Sequence, residues 1–217
     1  MLDPKQIVKQ GYDTLADAYR TFYSSSHQKI YPVLLQLFTE KIPKGGKVLE
    51  LGCGDGIPVA QLLSKEYDYL GIDMSPVQVA LAQQHVSAAK FMEADMTQLS
   101  FPHESIEGII ALYSIIHVSV EEQYALFSAV YDWLKPRGTL MCIVGHQAWV
   151  GTDPHWILPN NEMYWSHTDE QTYLDWFSEI GLEILQKRFL LEGNGGHTLI
   201  SNQIKIVCNS TPLSIVG

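Results

Sequence analysis

Residues Lys47 to Asp73 constrain this chain more than any others, because they spell a strand, a glycine loop, a helix and a second strand in direct succession. Lys47-Val48-Leu49-Glu50-Leu51 alternates little and is mostly apolar, as expected of a strand covered on both faces. Gly52, Gly54 and Gly56 follow at every second position, where side chains would block a tight turn or a ligand's approach. Pro58 and Val59-Ala60-Gln61-Leu62-Leu63 open a helix, and Tyr69-Leu70-Gly71-Ile72-Asp73 makes the second strand. That strand ends on a carboxylate able to accept hydrogen bonds from both hydroxyls of a ribose. The unit predicts a nucleoside-bearing small molecule at the edge of a parallel sheet.

A nicotinamide or flavin dinucleotide is the rival ligand, and its fingerprint is G-x-G-x-x-G. Here the third glycine comes one residue early and Ile57 occupies the place that fingerprint needs. Glu50 also precedes the loop, where a carboxylate would repel a pyrophosphate but suit a ligand carrying an ammonium group and a sulfonium. Both differences point to S-adenosylmethionine.

A chain of 217 residues fits one domain with a full core. Its formal net charge of −10 argues against a nucleic acid or an anionic membrane as partner, since phosphate binding relies on clustered Lys and Arg. Cys53, Cys142 and Cys208 are odd in number and widely spread, so no disulfide framework or metal spacing is expected and a reducing cytoplasm is the natural setting. No apolar leader or membrane-spanning stretch is read in it.

Residues 3–23 and 28–40 read as two helices, the first interrupted at Gly11 and the second starting near Pro32. Ser75 caps a helix from Pro76 to about residue 87. Phe91–Ala94, Ile106–Leu112 and Thr139–Val144 read as strands, and Val120–Leu134 as an amphipathic helix. Alternation of this kind predicts a doubly wound, mostly parallel α/β sheet. Residues 146–166 lack sustained periodicity and predict a structured loop over a site. A helix follows from Thr168 to Ile180, capped by Thr168 or Asp169. Leu182–Leu191 and Thr198–Val207, joined by Gly193-Asn194-Gly195-Gly196, predict an antiparallel pair. From Asn209 onward the chain reads as a tail.

These residues resemble class I S-adenosylmethionine-dependent methyltransferases of the small single-domain kind, related to ubiquinone/menaquinone-biosynthesis enzymes. The likeness rests on Tyr12-Asp13 with Ala16 and Tyr19, on Glu50 to Gly56, and on Gly71-Ile72-Asp73-Met74-Ser75. It continues through Glu93-Ala94-Asp95-Met96, Tyr113 to Val118 and Leu134-Lys135-Pro136. The usual Gly-Gly after that last turn is Arg137-Gly138 here, the usual Phe-Asp is Ile106-Glu107, and the usual Gly-Phe is Gly181-Leu182. The resemblance implies a Rossmann-like, seven-stranded sheet ending in an antiparallel hairpin. It implies one domain over residues 1–217, with a helical cover (1–45), a cofactor core (46–145) and a substrate lid (146–167).

Resemblance and chemistry together assign roles. Gly52, Cys53 and Gly54 approach the methionine part by their backbone, with Glu50 near its amino group. Asp73 holds the ribose diol and Met74 packs on the adenine. Asp95 accepts from the exocyclic amine, and the Met96 backbone reads the ring edge. Leu112 and Tyr113 lie beside the transferred methyl, and Tyr12 and Tyr19 cover the cofactor. His117 follows the fourth strand, where an acceptor presents its nucleophile, and an ordinary imidazole suits a general base near neutrality. Trp149, Trp156, Tyr164, Trp165, His167 and His197 suit a substrate pocket of stacking walls with a few polar contacts; their spacings, with His146 and His155, match no metal site. The expected activity is methyl transfer to a small-molecule acceptor, with S-adenosylhomocysteine as product. A peptide or protein methyltransferase, a non-catalytic cofactor-binding regulator and a dinucleotide oxidoreductase are the alternatives. The oligomeric state is not legible.

Overall fold

The computed structural model describes residues 3–192 and 195–204. In chain order it has α1 (Pro4–Thr39), β1 (Lys47–Leu51), α2 (Val59–Leu63), β2 (Asp68–Asp73), α3 (Pro76–His85) and β3 (Lys90–Glu93). There follow β4 (Ile106–Ala111), α4 (Val120–Trp133), β5 (Leu134–Gly145), β6 (Trp149–Asp153) and β7 (Met163–His167), then α5 (Glu170–Ile180), β8 (Leu182–Glu192) and β9 (Gly195–Ile204). Seven strands form one sheet in the order β3-β2-β1-β4-β5-β9-β8, and β6 pairs with β7 in a separate hairpin. Neighbours from β3 to β5 run parallel, while β9 is antiparallel to both β5 and β8. The expected doubly wound sheet with a C-terminal antiparallel pair is therefore present. The tail expected from Asn209, the Gly193-Asn194 part of the turn and the end of the last strand lie outside the described residues.

The sheet is buried on both faces. Against one face, Leu126, Phe127, Val130 and Trp133 of α4 pack with Tyr173 and Phe177 of α5. Against the other, Leu34, Leu35 and Phe38 of α1 pack with Val59, Ala60 and Leu63 of α2. These spacings of three and four place each set along one helix face. Caps agree with the local chemistry: Ser75 Oγ accepts from the Gln78 amide, Asp169 accepts from the Thr172 amide, and Gly181 ends α5 in the left-handed region.

Two expectations are corrected. The N-terminal helices are one, α1, which runs through Gly11 and Pro32 without a break. Gly11 is a point of close approach: a β-carbon there would stand 2.6 Å from the Met163 side chain and 2.8 Å from the Glu162 carbonyl. Residues 146–166 are not merely a loop, since Trp149 to Asp153 pair in register with His167 to Met163. The short strands were hidden because Trp149-Val150-Gly151-Thr152-Asp153 shows no period-two alternation of polarity.

Gln123 ties this hairpin to the sheet. Its buried side-chain amide donates to the carbonyls of Ile115, Val118 and Ser166, and its oxygen accepts from the Tyr173 hydroxyl. Replacing Gln123 by Leu leaves these buried groups unpaired and is expected to cost about 3 kcal/mol. Thermal unfolding should show a midpoint lowered by roughly 5–10 °C; an unchanged midpoint would remove Gln123 from this role.

Candidate active site

A cleft opens at the carboxyl ends of β1, β2 and β4. Its floor is the glycine loop. The Gly52 and Cys53 amides both donate to the Ile72 carbonyl, which pins the loop to the end of β2. Gly52 has φ +80°, and a β-carbon there would lie 2.3 Å from that of Ser114. No other residue fits this position. Ser114 in turn donates through Oγ to the Leu51 carbonyl at 2.5 Å, sewing the end of β4 to the end of β1.

Four carboxyl groups line the cleft, Glu50, Asp55, Asp73 and Asp95, with Lys5 as the one cation among the described lining residues. Asp73 accepts from the Gly54 and Ser75 amides, both at 2.9 Å. Burial still raises its pKa, against the help of those amides. Glu50 is 3% exposed and accepts a hydrogen bond from the Tyr69 hydroxyl. Burial, and then repulsion from Asp73 and Asp55, pushes its pKa up to about 8, although Tyr69 opposes the shift. The carboxylate expected at this position is therefore a protonated acid at neutral pH. Asp95 differs. Burial opposes its ionisation, but Lys5 at 2.9 Å and the Thr97 amide outweigh it and hold the pKa below the usual range.

Every residue expected at the cofactor lines this cleft: Tyr12, Tyr19, Glu50, Gly52, Cys53, Gly54, Asp73, Met74, Asp95, Met96 and Leu112. Tyr113 and His117 line it too. Tyr113 holds a left-handed φ of +59°, a strained state for a bulky residue, where β4 meets the cleft. His117 is buried, and its Nδ1–H donates to the Tyr164 carbonyl at 2.7 Å. A carbonyl only accepts, so Nε2 carries the lone pair and receives the Tyr12 hydroxyl at 3.0 Å. Burial, aided by His197 and His167, lowers its pKa to about 4. The imidazole is not the near-neutral base that its residue type suggests.

Trp149, Trp156, Tyr164, Trp165, His167 and His197 are not among the residues that line the cleft, although Trp156, Trp165 and His197 contact residues that do. Trp156 contacts Tyr12 and Tyr19 at ring separations of 5.4 and 5.8 Å, and Trp165 contacts His117 at 5.6 Å. His197 meets Tyr113 at 5.6 Å. Among the lining residues that sequence reasoning missed are Lys5, Tyr31, Gln78, Thr97 and Ser114. Tyr31 was obscured by splitting α1 in two. Lys5 and Ser114 carry no local signal, because their partners are distant in sequence.

No group of three or more His, Cys, Asp or Glu among the described residues could hold a metal, and no described helix is long and apolar enough to cross a membrane. Residues 48–138 match the profile of a family described as a methyltransferase domain. Phosphoethanolamine N-methyltransferase 3 of Arabidopsis thaliana is 32% identical over 102 residues, covering 45% of this chain and 20% of that protein. Sterol 24-C-methyltransferase of Debaryomyces hansenii is 28% identical over 122 residues, covering 53% of this chain and 31% of its own length. The chain thus spans less than a third of either relative. Among solved structures, magnesium protoporphyrin IX methyltransferase of Synechocystis PCC 6803 with bound S-adenosylmethionine superposes with a TM-score of 0.72 at 20% identity, covering 94% of this chain and 99% of that one. Residues 48–138 are thus similar to a methyltransferase domain, and the chain shares the fold of this solved S-adenosylmethionine-binding methyltransferase.

Proposed function

We propose that the protein transfers the methyl group of S-adenosylmethionine to a small-molecule acceptor and releases S-adenosylhomocysteine. The observation that carries this reading is a glycine cradle beside a buried glutamic acid whose partner is a phenol, not a cation. An approaching ammonium favours ionisation of that acid, whereas a pyrophosphate would meet the carboxyl groups of Asp55 and Asp73. Asp73, at the end of β2, holds the ribose diol with the lone pairs its two amide partners leave. Asp95 and Met96 hold the adenine. Bound there, S-adenosylmethionine supplies a methyl group already activated by a positively charged sulfur.

The residues of this chain then position the acceptor, exclude water and receive a proton. The first half of α1 bars the cleft: Lys5 binds Asp95, Thr97 and Glu122, Lys9 binds Glu93, and Asp13 accepts from Ser75. A cleft so covered suits a small acceptor better than a protein terminus. The Tyr12 oxygen can accept a hydrogen bond from the acceptor while its own hydrogen rests on His117 Nε2. His117 is a weak base, but an acceptor atom becomes strongly acidic once methylated, so a weak base suffices at that moment. Proximity in a dry cleft supplies most of the acceleration.

Calorimetry should show binding of S-adenosylhomocysteine and none of NADH; failure to bind the former overturns the reading. Because ionised Glu50 faces the ammonium, that affinity should rise by up to about tenfold per pH unit as pH approaches 8, and Glu50→Gln should flatten the profile. The folded state also holds a proton on Glu50 that the unfolded chain releases between pH 4.5 and about 8. Stability from this group therefore falls as pH rises through that window, and Glu50→Gln should abolish the fall in thermal scans. His117→Asn should lower turnover about 10²-fold with cofactor affinity unchanged. In the natural protein the acid limb of kcat should lie near pH 4 rather than 6.5; unchanged turnover in the variant removes His117 from proton transfer.

A further inference from the structure

The face of α1 that lines the cleft carries Lys5, Val8, Tyr12 and Tyr19, at successive spacings of three, four and seven. Lys5 is the charged member of that set, and its position is unfavourable for the helix itself. It lies in the first turn, where the helix dipole favours an acid, and that turn holds none. Its contacts supply the reason. The ammonium reaches Asp95 Oδ2 at 2.9 Å, Thr97 Oγ1 at 2.8 Å and Glu122 Oε1 at 2.6 Å. An ammonium has three hydrogens, and each finds an acceptor here. Lys5 thus joins the start of α1 to the turn after β3 and to the first turn of α4.

Asp95, which lines the same end of the cleft, is nearly filled by these partners. Its Oδ1 accepts from the Thr97 amide at 2.9 Å and from the Thr97 hydroxyl at 2.8 Å, and its Oδ2 accepts from Lys5. A carboxylate offers about four lone-pair sites, so one is left, on the oxygen that Lys5 holds. We propose that Lys5 sets the base specificity of the donor: by fixing Asp95 as an acceptor with no hydrogen to give, it admits a 6-aminopurine and rejects a 6-oxopurine. This rests on the methyl-transfer reading above, which puts adenine at Asp95, and adds a positioning residue that acts through that carboxylate. A 6-amino group donates into the open site on Oδ2. A 6-oxo group would meet that lone pair with its own, and Lys5 cannot turn to it without abandoning one of its three acceptors. Without Lys5, burial favours a proton on Asp95 against the Thr97 hydrogen bonds, and a protonated Asp95 can donate to a 6-oxo group. The other charges nearby are Glu122, already on Lys5, and Lys9 and Glu93, which pair with each other.

The test titrates S-adenosylhomocysteine and its 6-oxo counterpart, S-inosylhomocysteine, into the full chain by calorimetry at pH 8 and at pH 5. Both ligands carry the same homocysteine part, so any pH dependence arising at Glu50 cancels in the ratio of their affinities. The natural protein should prefer the adenosine compound about 10²-fold at both pH values. In Lys5→Met, and in Lys5→Gln, which removes the charge but keeps a hydrogen-bonding group, that preference should fall about tenfold from pH 8 to pH 5 as Asp95 takes up a proton. Lys5→Arg should hold it constant. A merely structural role for Lys5 would weaken both ligands alike and leave their ratio independent of pH, and that result overturns the proposal. So does an equal or reversed preference in the natural protein, or loss of both ligands from Lys5→Met and Lys5→Gln together. Failure of the natural protein to bind S-adenosylhomocysteine overturns the methyl-transfer reading instead.

Discussion

At the centre of the sheet β1 lies beside β4, and the helices that follow these strands leave toward opposite faces. No connection crosses the gap between their carboxyl ends, so a crevice must open there, as in other open α/β sheets. The rest of the site is a consequence of lining that crevice. The loop after β1 can occupy it only because Gly52 lacks a side chain that would strike Ser114. The turn after β4 delivers Tyr113 and His117 to its opposite wall. Helix α1 then spans the opening, held by polar contacts to residues that follow β2, β3 and β4.

That crevice gathers carboxyl groups in an enclosed space, and each is accommodated differently. Asp73 is paid for by backbone amides of the loop and of α3. Asp95 is neutralised by Lys5, which α1 brings from the far end of the chain. Glu50 has neither, and burial keeps its proton on despite the hydrogen bond it accepts from Tyr69. A buried acid left protonated is the least expensive state until a cation arrives, and ionisation then strengthens the contact. Glu50 is thus the carboxyl of the cleft that lacks both amide donors and a cation, beside Asp73 and Asp95, which have them.

The donor half of this arrangement was legible in the sequence because it is built from a short contiguous pattern. Strand, glycine loop, helix and Asp73 are local, and local patterns survive in a single chain. His117 was legible as a position but not as a chemical state. Its low pKa comes from enclosure and from His167 and His197, which lie 50 and 80 residues onward and meet it only in the fold. The continuity of α1 was illegible for a related reason. Gly11 and Pro32 are helix breakers by propensity, yet Gly11 is kept for the approach of Met163, and tertiary packing overrides the local preference. The hairpin β6–β7 escaped because Trp149 to Asp153 shows no alternation of the kind that marks a strand.

The two halves of the site are also built from different materials, with a consequence for how such a protein can change. The donor side uses backbone amides and glycines at the sheet edge, so altering it disturbs the turn that holds β1, β2 and β4 in place. The hairpin β6–β7, in contrast, sits outside the seven-stranded sheet and lies between β5 and α5 in the chain. Its residues Met163 and Tyr164 pack with Val8 of α1 in a small cluster distinct from the two that cover the sheet. Trp149, Trp165 and His167 belong to neither of the main clusters. Exchanging them leaves the sheet's buried surfaces intact. Side chains of the hairpin can therefore change without loss of the sheet, because they are not the ones that hold it together.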